Sequence, residues 1–264
     1  MTPSATITQP RSLPRIYVLE AKYEFLKVLR LPAYAIPTIG FPLLFYVFFG
    51  LAFGGGNMAG PVTMPTYLLA TYGTFGVIGA SLFGFGVGVA IERGQGWMLL
   101  KRATPMPPVA YFTAKIFMAL TFSLILVLGL FALGAAFGGV TMSALTWVSL
   151  AAVLIAGALP FCAFGLFLGY VCGPNSAPAV VNLLFLPMAF LSGLWIPVQA
   201  LPAILQKLAP ALPPYHFSQL ALAQVGAHTG PSSWVSILYL VLFTGVSLGL
   251  AYVGYRRDEG KTYG

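Results

Sequence analysis

Charged residues are scarce in this chain. Only 7% of its 264 residues are Asp, Glu, Lys or Arg, whereas 59% are hydrophobic. Soluble globular domains carry about 25% charged residues. So few charges cannot cover a surface that faces water. The composition therefore excludes an ordinary soluble domain and favours a protein that lies in lipid.

The chain also lacks the residue sets of several kinds of active site. Its two cysteines, Cys162 and Cys172, fall in one apolar run, and ten residues of helix would hold them about 15 Å apart, too far for a disulfide. It has no His-Glu-x-x-His sequence, and the gap between Gly254 and Gly260-Lys-Thr262 is one residue too long for a phosphate-binding loop. The sequence therefore predicts no catalytic, cofactor-binding or metal-binding residue here.

Six apolar runs contain no Asp, Glu, Lys, Arg or His, and each has about the 20 residues that a helix needs to cross a bilayer. Backbone groups in lipid must be hydrogen-bonded within the protein, so the runs are expected to be helices. The predicted transmembrane spans are 31–53, 67–91, 116–137, 147–172, 179–198 and 234–255. The fifth is the weakest, because Pro187 and Pro197 interrupt it, and its outer end need not cross fully.

The basic residues predict the orientation of these spans. Of the 13 Lys and Arg residues, 12 precede the first run, lie around the loop after the second or follow the sixth, and only Lys207 lies on the other side. The positive-inside rule makes the basic side cytoplasmic. We therefore expect a multi-pass protein of the plasma membrane, the inner membrane of a bacterium, with both termini in the cytoplasm. Its environment is the lipid bilayer, and no nucleic acid is expected as a partner.

Two segments outside the spans have a helical pattern. In 14–30, an apolar stripe recurs at helical spacing and six charges lie off it, which is typical of an interfacial helix on the cytoplasmic surface. A simple flank that sets topology is the alternative. The outer segment 199–230 is broken by prolines. It is expected to form short helices at 202–208 and 217–225 and to dip partly into the membrane.

The loop at 92–115 is the most informative polar stretch. Glu92 and Arg93 leave the membrane, glycines permit a turn, and Trp97–Arg102 gives about two helical turns before a group of prolines. This pattern describes a short helix parallel to the membrane and presented to a cytoplasmic partner. An ordinary re-entry loop with basic anchors fits the residues equally well.

The loop resembles that of the permease subunits of type-2 ABC exporters. The residues that match in order and spacing are Glu92, Arg93, Gly96, Thr104, Pro105, Tyr111 and Lys115. The interfacial helix, Phe41-Pro-Leu-Leu-Phe, and Leu191-Ser-Gly-Leu-Trp-Ile-Pro followed by Ala200-Leu-Pro also agree, so the resemblance covers nearly the whole chain. Trp97, where the family often has Thr, and a less acidic short helix are departures.

The resemblance implies one permease domain over 1–264, an all-α integral membrane protein. It would have six transmembrane helices, the N-terminal interfacial helix, a cytoplasmic coupling helix between spans two and three, and a short outer helical segment between spans five and six. Two permease copies, expected as a homodimer, would pair with two ATP-binding subunits. Those subunits would hold the ATP and Mg, so this chain would carry no cofactor. The implied coupling residues are Glu92, Arg93, Gly96, Trp97, Lys101, Arg102, Thr104 and Pro105.

The resemblance also implies that spans two and five line the substrate path, and that spans one and five meet across the dimer. The candidate residues are Tyr72, Phe75, Phe83, Asn182, Phe185, Met188, Phe190 and Ser192. Ordinary helix packing is the alternative for each of them. An apolar, aromatic path would suit an amphipathic small molecule, a drug, a lipid or a lipid-linked compound.

The predicted function is therefore the non-catalytic, membrane-spanning subunit of an ATP-driven exporter. The alternative is a channel or secondary carrier that does not use ATP. Proton- or ion-driven carriers usually have ionisable residues within the membrane, and the six runs have none. This argues for an external energy source.

Overall fold

The computed structural model describes residues 13–104 and 106–261, and most of these residues are helical. The α-helices are α1 (Leu13–Leu29), α2 (Pro32–Phe45), α3 (Met64–Ser81), α4 (Gly88–Gly94), α5 (Trp97–Arg102), α6 (Pro108–Phe137), α7 (Ala144–Ala156), α8 (Ala158–Val171), α9 (Ala177–Leu191), α10 (Ala203–Leu208), α11 (Pro213–Gln224) and α12 (Ser233–Lys261). π-Helical turns, Tyr46–Ala52 and Leu82–Val87, extend α2 and join α3 to α4. A small antiparallel pair, β1 (Met58–Ala59) and β2 (Val62–Thr63), which the sequence did not predict, precedes α3.

Five helical stretches of the described residues are long and apolar enough to cross a membrane, judged by length and composition. They are Tyr34–Ala52, Met64–Gly94, Val109–Phe137, Ala144–Val171 and Ser233–Asp258. Each coincides with one of the six runs. The remaining run contains α9, whose 15 residues rise about 22 Å, less than the roughly 30 Å of a hydrocarbon core. A sixth crossing therefore stays a prediction.

The long helix that begins with α3 lies at the centre of the fold. Every residue from Pro65 to Ser81 is buried. A helix that is apolar all round has to be surrounded by other elements. By contrast, most residues of the first and last apolar stretches, Tyr34–Ala52 and Ser233–Asp258, are not buried by the rest of the chain. Those surfaces are the ones available to lipid or to another protein.

Small residues allow the second and fourth apolar stretches to approach closely. A methyl group on Gly165 would lie 3.1 Å from the backbone nitrogen of Gly86, and one on Gly169 would lie 3.0 Å from the Gly86 carbonyl oxygen. Small residues at spacing four permit such contacts between membrane helices. Gly245 and Gly249 of α12 have the same spacing, but a methyl group on either would meet nothing within 4 Å. The side of α12 that carries these two glycines therefore faces away from the rest of the described chain.

The fifth predicted span differs from the structure at its outer end. The helix α9 ends at Leu191 rather than at residue 198, because the chain turns at Gly193, whose φ of +75° is a conformation that glycine adopts without strain. The turn carries Trp195 back toward the bundle. Beyond it, α10 is short, and α11 begins at Pro213 and is buried over most of its length.

Candidate functional site

A groove of about 900 Å³ runs along one side of the central helix. Its walls come from α1, α2, the stretch from α3 to α4, and α9, together with Gln95, Trp97, Lys115 and Trp195. Phe75 and Glu92 both line it, and 17 residues of helix between them correspond to about 25 Å. The groove therefore extends over most of the thickness of a bilayer's hydrocarbon core.

The end of the groove near Trp195, which we call its outer part, is aromatic, and the end near Glu92 is called its inner end. Phe75 stacks on Phe185 with ring centroids 4.9 Å apart, and Trp195 lies edge-on to Phe75 and Phe45 at 5.7 and 6.0 Å. The indole N–H of Trp195 is buried and has no hydrogen-bond partner among the described residues. A buried donor without a partner is costly, so this N–H is an unusual feature of the site.

Four of the eight predicted path residues line this groove, namely Phe75, Phe83, Asn182 and Phe185. The other four lie near its outer end or behind it. The Tyr72 hydroxyl donates to the Trp195 carbonyl at 3.4 Å, and the Phe190 ring lies 6.1 Å from that of Trp195. Met188 and Ser192 belong to the end of α9 and the residue after it, and Ser192 is buried.

Asn182 places a polar amide in an apolar run, where such a group needs a hydrogen-bond partner. Its side-chain amide donates to the Pro178 carbonyl at 3.1 Å, within its own helix, and the side chain stays exposed. Trp195 was not among the predicted path residues, although it belongs to the sequence that supported the family resemblance. Its contact with the groove depends on the turn at Gly193, which sequence periodicity does not show.

The loop at 92–115 forms the predicted two-turn helix, α5, at Trp97–Arg102. Gly96 precedes it with φ +76°, which supplies the turn. The Thr104 hydroxyl donates to the Lys101 carbonyl at 2.7 Å and closes the helix, whereas Pro105 lies outside the described residues. Trp97 is 47% exposed and also lines the groove, and Leu100 is 68% exposed, so α5 has an exposed apolar surface.

Two adjacent residues attach the start of this loop to the rest of the protein. Arg93 donates to the carbonyls of Tyr170 and Cys172 at 2.8 and 2.7 Å and pairs with Asp258 at 2.9 Å. These contacts join the end of α4 to the end of α8 and to α12. Glu92 points the other way, into a group of buried charges at the inner end of the groove.

That group, which we call the charge ring, consists of Glu24 and Lys27 of α1, Glu92 of α4 and Lys115 of α6. Lys27 pairs with Glu24 at 2.7 Å and with Glu92. Lys115 pairs with Glu24 at 2.6 Å and with Glu92 at 2.9 Å. Each charge thus contacts both charges of opposite sign.

The neighbours of the charge ring stabilise it further. The Tyr111 hydroxyl donates to Glu92 at 2.6 Å, and Lys101 of α5 lies over the Tyr111 ring and pairs with Glu20 of α1. Burial lowers the pKa of Lys27, but the carboxylates of Glu92 and Glu24 outweigh it and raise that pKa above its ordinary value. Lys27 is therefore charged at neutral pH.

Lys115 lies at the start of the third apolar run, a position from which a lysine usually extends its ammonium group toward water. Here Lys115 is instead only 1% exposed, and its partners come from α1 and α4. The charged residues of α1 also fall into two groups. Glu24 faces the protein, whereas Arg15, Lys22 and Arg30 are exposed.

Metal chemistry finds no support in this part of the chain. Residues 13–104 and 106–261 hold no group of three His, Cys, Asp or Glu side chains that could bind a metal ion. His216 is buried, donates from Nε2 to the Pro210 carbonyl at 2.9 Å and stacks on Tyr239 at 4.0 Å. Its Nδ1 lies 3.2 Å from the Ser236 hydroxyl of α12.

The helices able to cross a membrane and the long groove among them define a multi-pass α-helical membrane protein. The chain belongs to the ABC-2 type transporter family, whose sequence pattern matches residues 17–226. It is 28% identical over 222 residues to YvfS of Bacillus subtilis (strain 168), a protein whose name assigns it provisionally to the transport permeases. The match covers 83% of this chain and 90% of YvfS. The chain is accordingly a membrane transport subunit of this family, whose permeases typically work with an ATP-binding subunit.

Proposed function

We propose that this chain is the non-catalytic, membrane-spanning subunit of an ATP-driven exporter. Two copies, as a homodimer in the bacterial inner membrane, form the substrate path, and two separate ATP-binding subunits hold the ATP and Mg. The helix α9 with the turn after it serves as the sixth span, and both termini lie in the cytoplasm. The observation that carries this proposal is the position of α5 within the fold.

The helix α5 is both exposed and firmly attached. Trp97 and Leu100 project from it, while Lys101 pairs with Glu20, and Glu92 and Arg93 anchor the segment just before it. A force applied to the apolar surface of α5 would therefore reach α1, α6, α8 and α12. An ATP-binding subunit that docks on this surface could drive the membrane helices through these contacts.

The substrate proposal rests on the groove. Its outer part offers aromatic faces, and its inner end carries the charge ring. Sites for small molecules are mostly apolar with a few placed polar groups. An amphipathic drug, a lipid or a lipid-linked compound fits this distribution better than an inorganic ion does.

Replacing Trp97 tests the coupling. In vesicles that contain the full chain with its ATP-binding subunit, Trp97→Glu should abolish export and substrate-stimulated ATP hydrolysis, since a charge would be placed on an apolar docking surface. Trp97→Phe is the matched control and should retain both activities. Unchanged export and stimulation in Trp97→Glu would show that α5 has no coupling role.

Purification of the complex tests the partner independently. A tagged chain extracted in mild detergent should retain a protein with a complete phosphate-binding loop, in equal numbers of copies. Trp97→Glu should reduce the retained amount and Trp97→Phe should not. If the chain transports substrate with no such protein present, an ATP-independent carrier replaces our proposal.

A further inference from the structure

The charge ring lies at the inner end of the groove. All four of its residues line the groove, yet Lys115, Glu24 and Glu92 are only 1%, 4% and 6% exposed. Charged groups are expensive to bury unless they are paired, and here each has two partners. The same four side chains thus give an otherwise apolar groove a charged inner end, where Gln95 and Trp97 also line it.

The ring consists of two halves that are each electrically neutral. Glu24 and Lys27 pair within α1 at 2.7 Å, and Glu92 and Lys115 pair between α4 and α6 at 2.9 Å, where Tyr111 supports Glu92. Two contacts between the halves, Lys27 with Glu92 and Lys115 with Glu24, complete the ring.

This division makes the ring separable. If α1 moved away from α4 and α6, the ring would lose only the two ion pairs between its halves, and no charge would be left alone. Leaving a single buried charge without its partner is the strongly unfavourable outcome. Because each half is neutral, the two halves can separate and rejoin without leaving a buried charge unpaired.

The surrounding contacts identify which half can move. The α4 half is held by Arg93, which contacts the Tyr170 and Cys172 carbonyls and Asp258. The α1 half is separated from α2 by a non-helical residue, Leu31, with φ −103° and ψ 86°. Its contact with α6 is largely apolar, around Phe25 and Phe122, and packed apolar helices can slide by small amounts.

One further contact connects this half to the cytoplasmic loop. Lys101 of α5 pairs with Glu20, one helical turn before Glu24. Displacement of α5 would therefore pull on α1, while Arg93 holds the opposite half to α8 and α12. The loop is thus connected to the inner end of the groove through α1, as well as through the contact of Lys101 with Tyr111.

We propose that α1 is the inner gate of the groove and that the charge ring is its latch. The latch is closed in this structure, and it opens when α5 displaces α1 and separates the two neutral halves. What passes through the gate, and whether ATP drives α5, rests on the proposed function; the latch itself does not.

A reversal of one half tests the latch. Glu24→Lys combined with Lys27→Glu keeps the α1 half neutral but turns both contacts between the halves into repulsive ones. Glu92→Lys combined with Lys115→Glu reverses the other half, so that all four substitutions together restore the attraction. Lys22→Gln, on the exposed side of α1, is the control for a charge change outside the ring.

The readout is access to the groove from the cytoplasmic side. A cysteine is introduced by Thr38→Cys, at a position that lines the groove, in a full-length chain that also carries Cys162→Ala and Cys172→Ala. Its reaction with a sulfonated maleimide is followed in inside-out membrane vesicles, and all variants are first shown to elute as folded protein. Reversal of the α1 half should speed the reaction by about tenfold or more, because like charges repel strongly in a region of low dielectric. The fourfold variant should return most of the way to the parent rate, and Lys22→Gln should match the parent.

Two results would overturn the proposal. Either the reversed α1 half reacts no faster than the parent, or the fourfold variant reacts as fast as the half-reversed one, in which case charge complementarity does not close the groove. The labelling requires neither ATP nor transport. A working latch together with fully active Trp97→Glu would therefore disprove the proposed coupling and leave the gate standing.

Discussion

Individual residues in this protein have environments that their positions in the sequence do not show. Lys115 is the clearest example, since it begins an apolar run and yet lies among Glu24, Glu92 and Tyr111 with 1% of its surface exposed. Trp195 is another, because a glycine turn brings it against Phe75. In both cases the partner comes from a distant part of the chain.

Removal of the Lys115 charge should destabilise the protein. Lys115→Met leaves Glu24 and Glu92 to share Lys27, and breaking a buried ion pair in this way costs about 3–5 kcal/mol. Denaturant titration in mixed micelles measures the free energy of unfolding. The double variant Lys115→Met with Glu24→Gln should recover part of the loss because it removes one charge of each sign.

A control for this prediction lies on the exposed side of α1. Lys22 is exposed, and Lys22→Met should change the free energy of unfolding by no more than about 0.5 kcal/mol. Equal effects of Lys115→Met and Lys22→Met would contradict the assignment of Lys115 to a buried ring.

At the scale of elements, the spans could be predicted well but their ends could not. Apolar runs free of charge located the five long stretches because the hydrocarbon core dictates their length and composition. Their ends depend on local chemistry, such as Ser143, whose hydroxyl accepts from the Thr146 backbone N–H at 3.2 Å, and on glycine turns. The short helix α5 was predicted at its observed bounds, since glycines and prolines flank it on both sides.

The glycines at spacing four in the second half of the chain provide a prediction at this scale. Gly165→Ala should lower the free energy of unfolding by about 1–3 kcal/mol, because the added methyl group would lie 3.1 Å from the Gly86 nitrogen and force the helices apart. Gly249→Ala is the matched control, since a methyl group there meets nothing within 4 Å. It should leave stability unchanged or slightly raised, as alanine favours helix.

Thermal unfolding in detergent compares the two glycine variants directly. A larger loss for Gly249→Ala than for Gly165→Ala would mean that the contact between the second and fourth apolar stretches contributes little. It would also mean that α12 packs closely in a way that the single chain does not show.

For the whole molecule, the charge distribution and the groove define the same axis, which runs from the basic end of the bundle to the end that carries Lys207. The charge ring, α5 and Arg93 lie at the end of the bundle that carries nearly all the basic residues, and Lys207 lies at the other end. The aromatic part of the groove is on the side of Lys207. The proposed orientation therefore places the latch toward the cytoplasm and the aromatic part toward the outside.

Accessibility of single cysteines tests that orientation. In a chain carrying Cys162→Ala and Cys172→Ala, Lys207→Cys should react with an impermeant maleimide in intact cells, because the positive-inside rule places it outside. Arg257→Cys, at the far end of α12, should react only in inside-out vesicles. The reverse pattern would invert the proposed topology, and with it the assignment of the charge ring to the cytoplasmic side.

The sequence by itself determined the solvent of this protein, its apolar stretches and the short helix after the second of them. These follow from composition and from residues that are neighbours in the chain. Only the tertiary structure decided that two neutral ion pairs meet at the inner end of a groove, and that Trp195 lies at its outer end. The physical reason is that each such contact joins helices distant in sequence. Packing around the central helix, rather than any local pattern, sets which charge faces which.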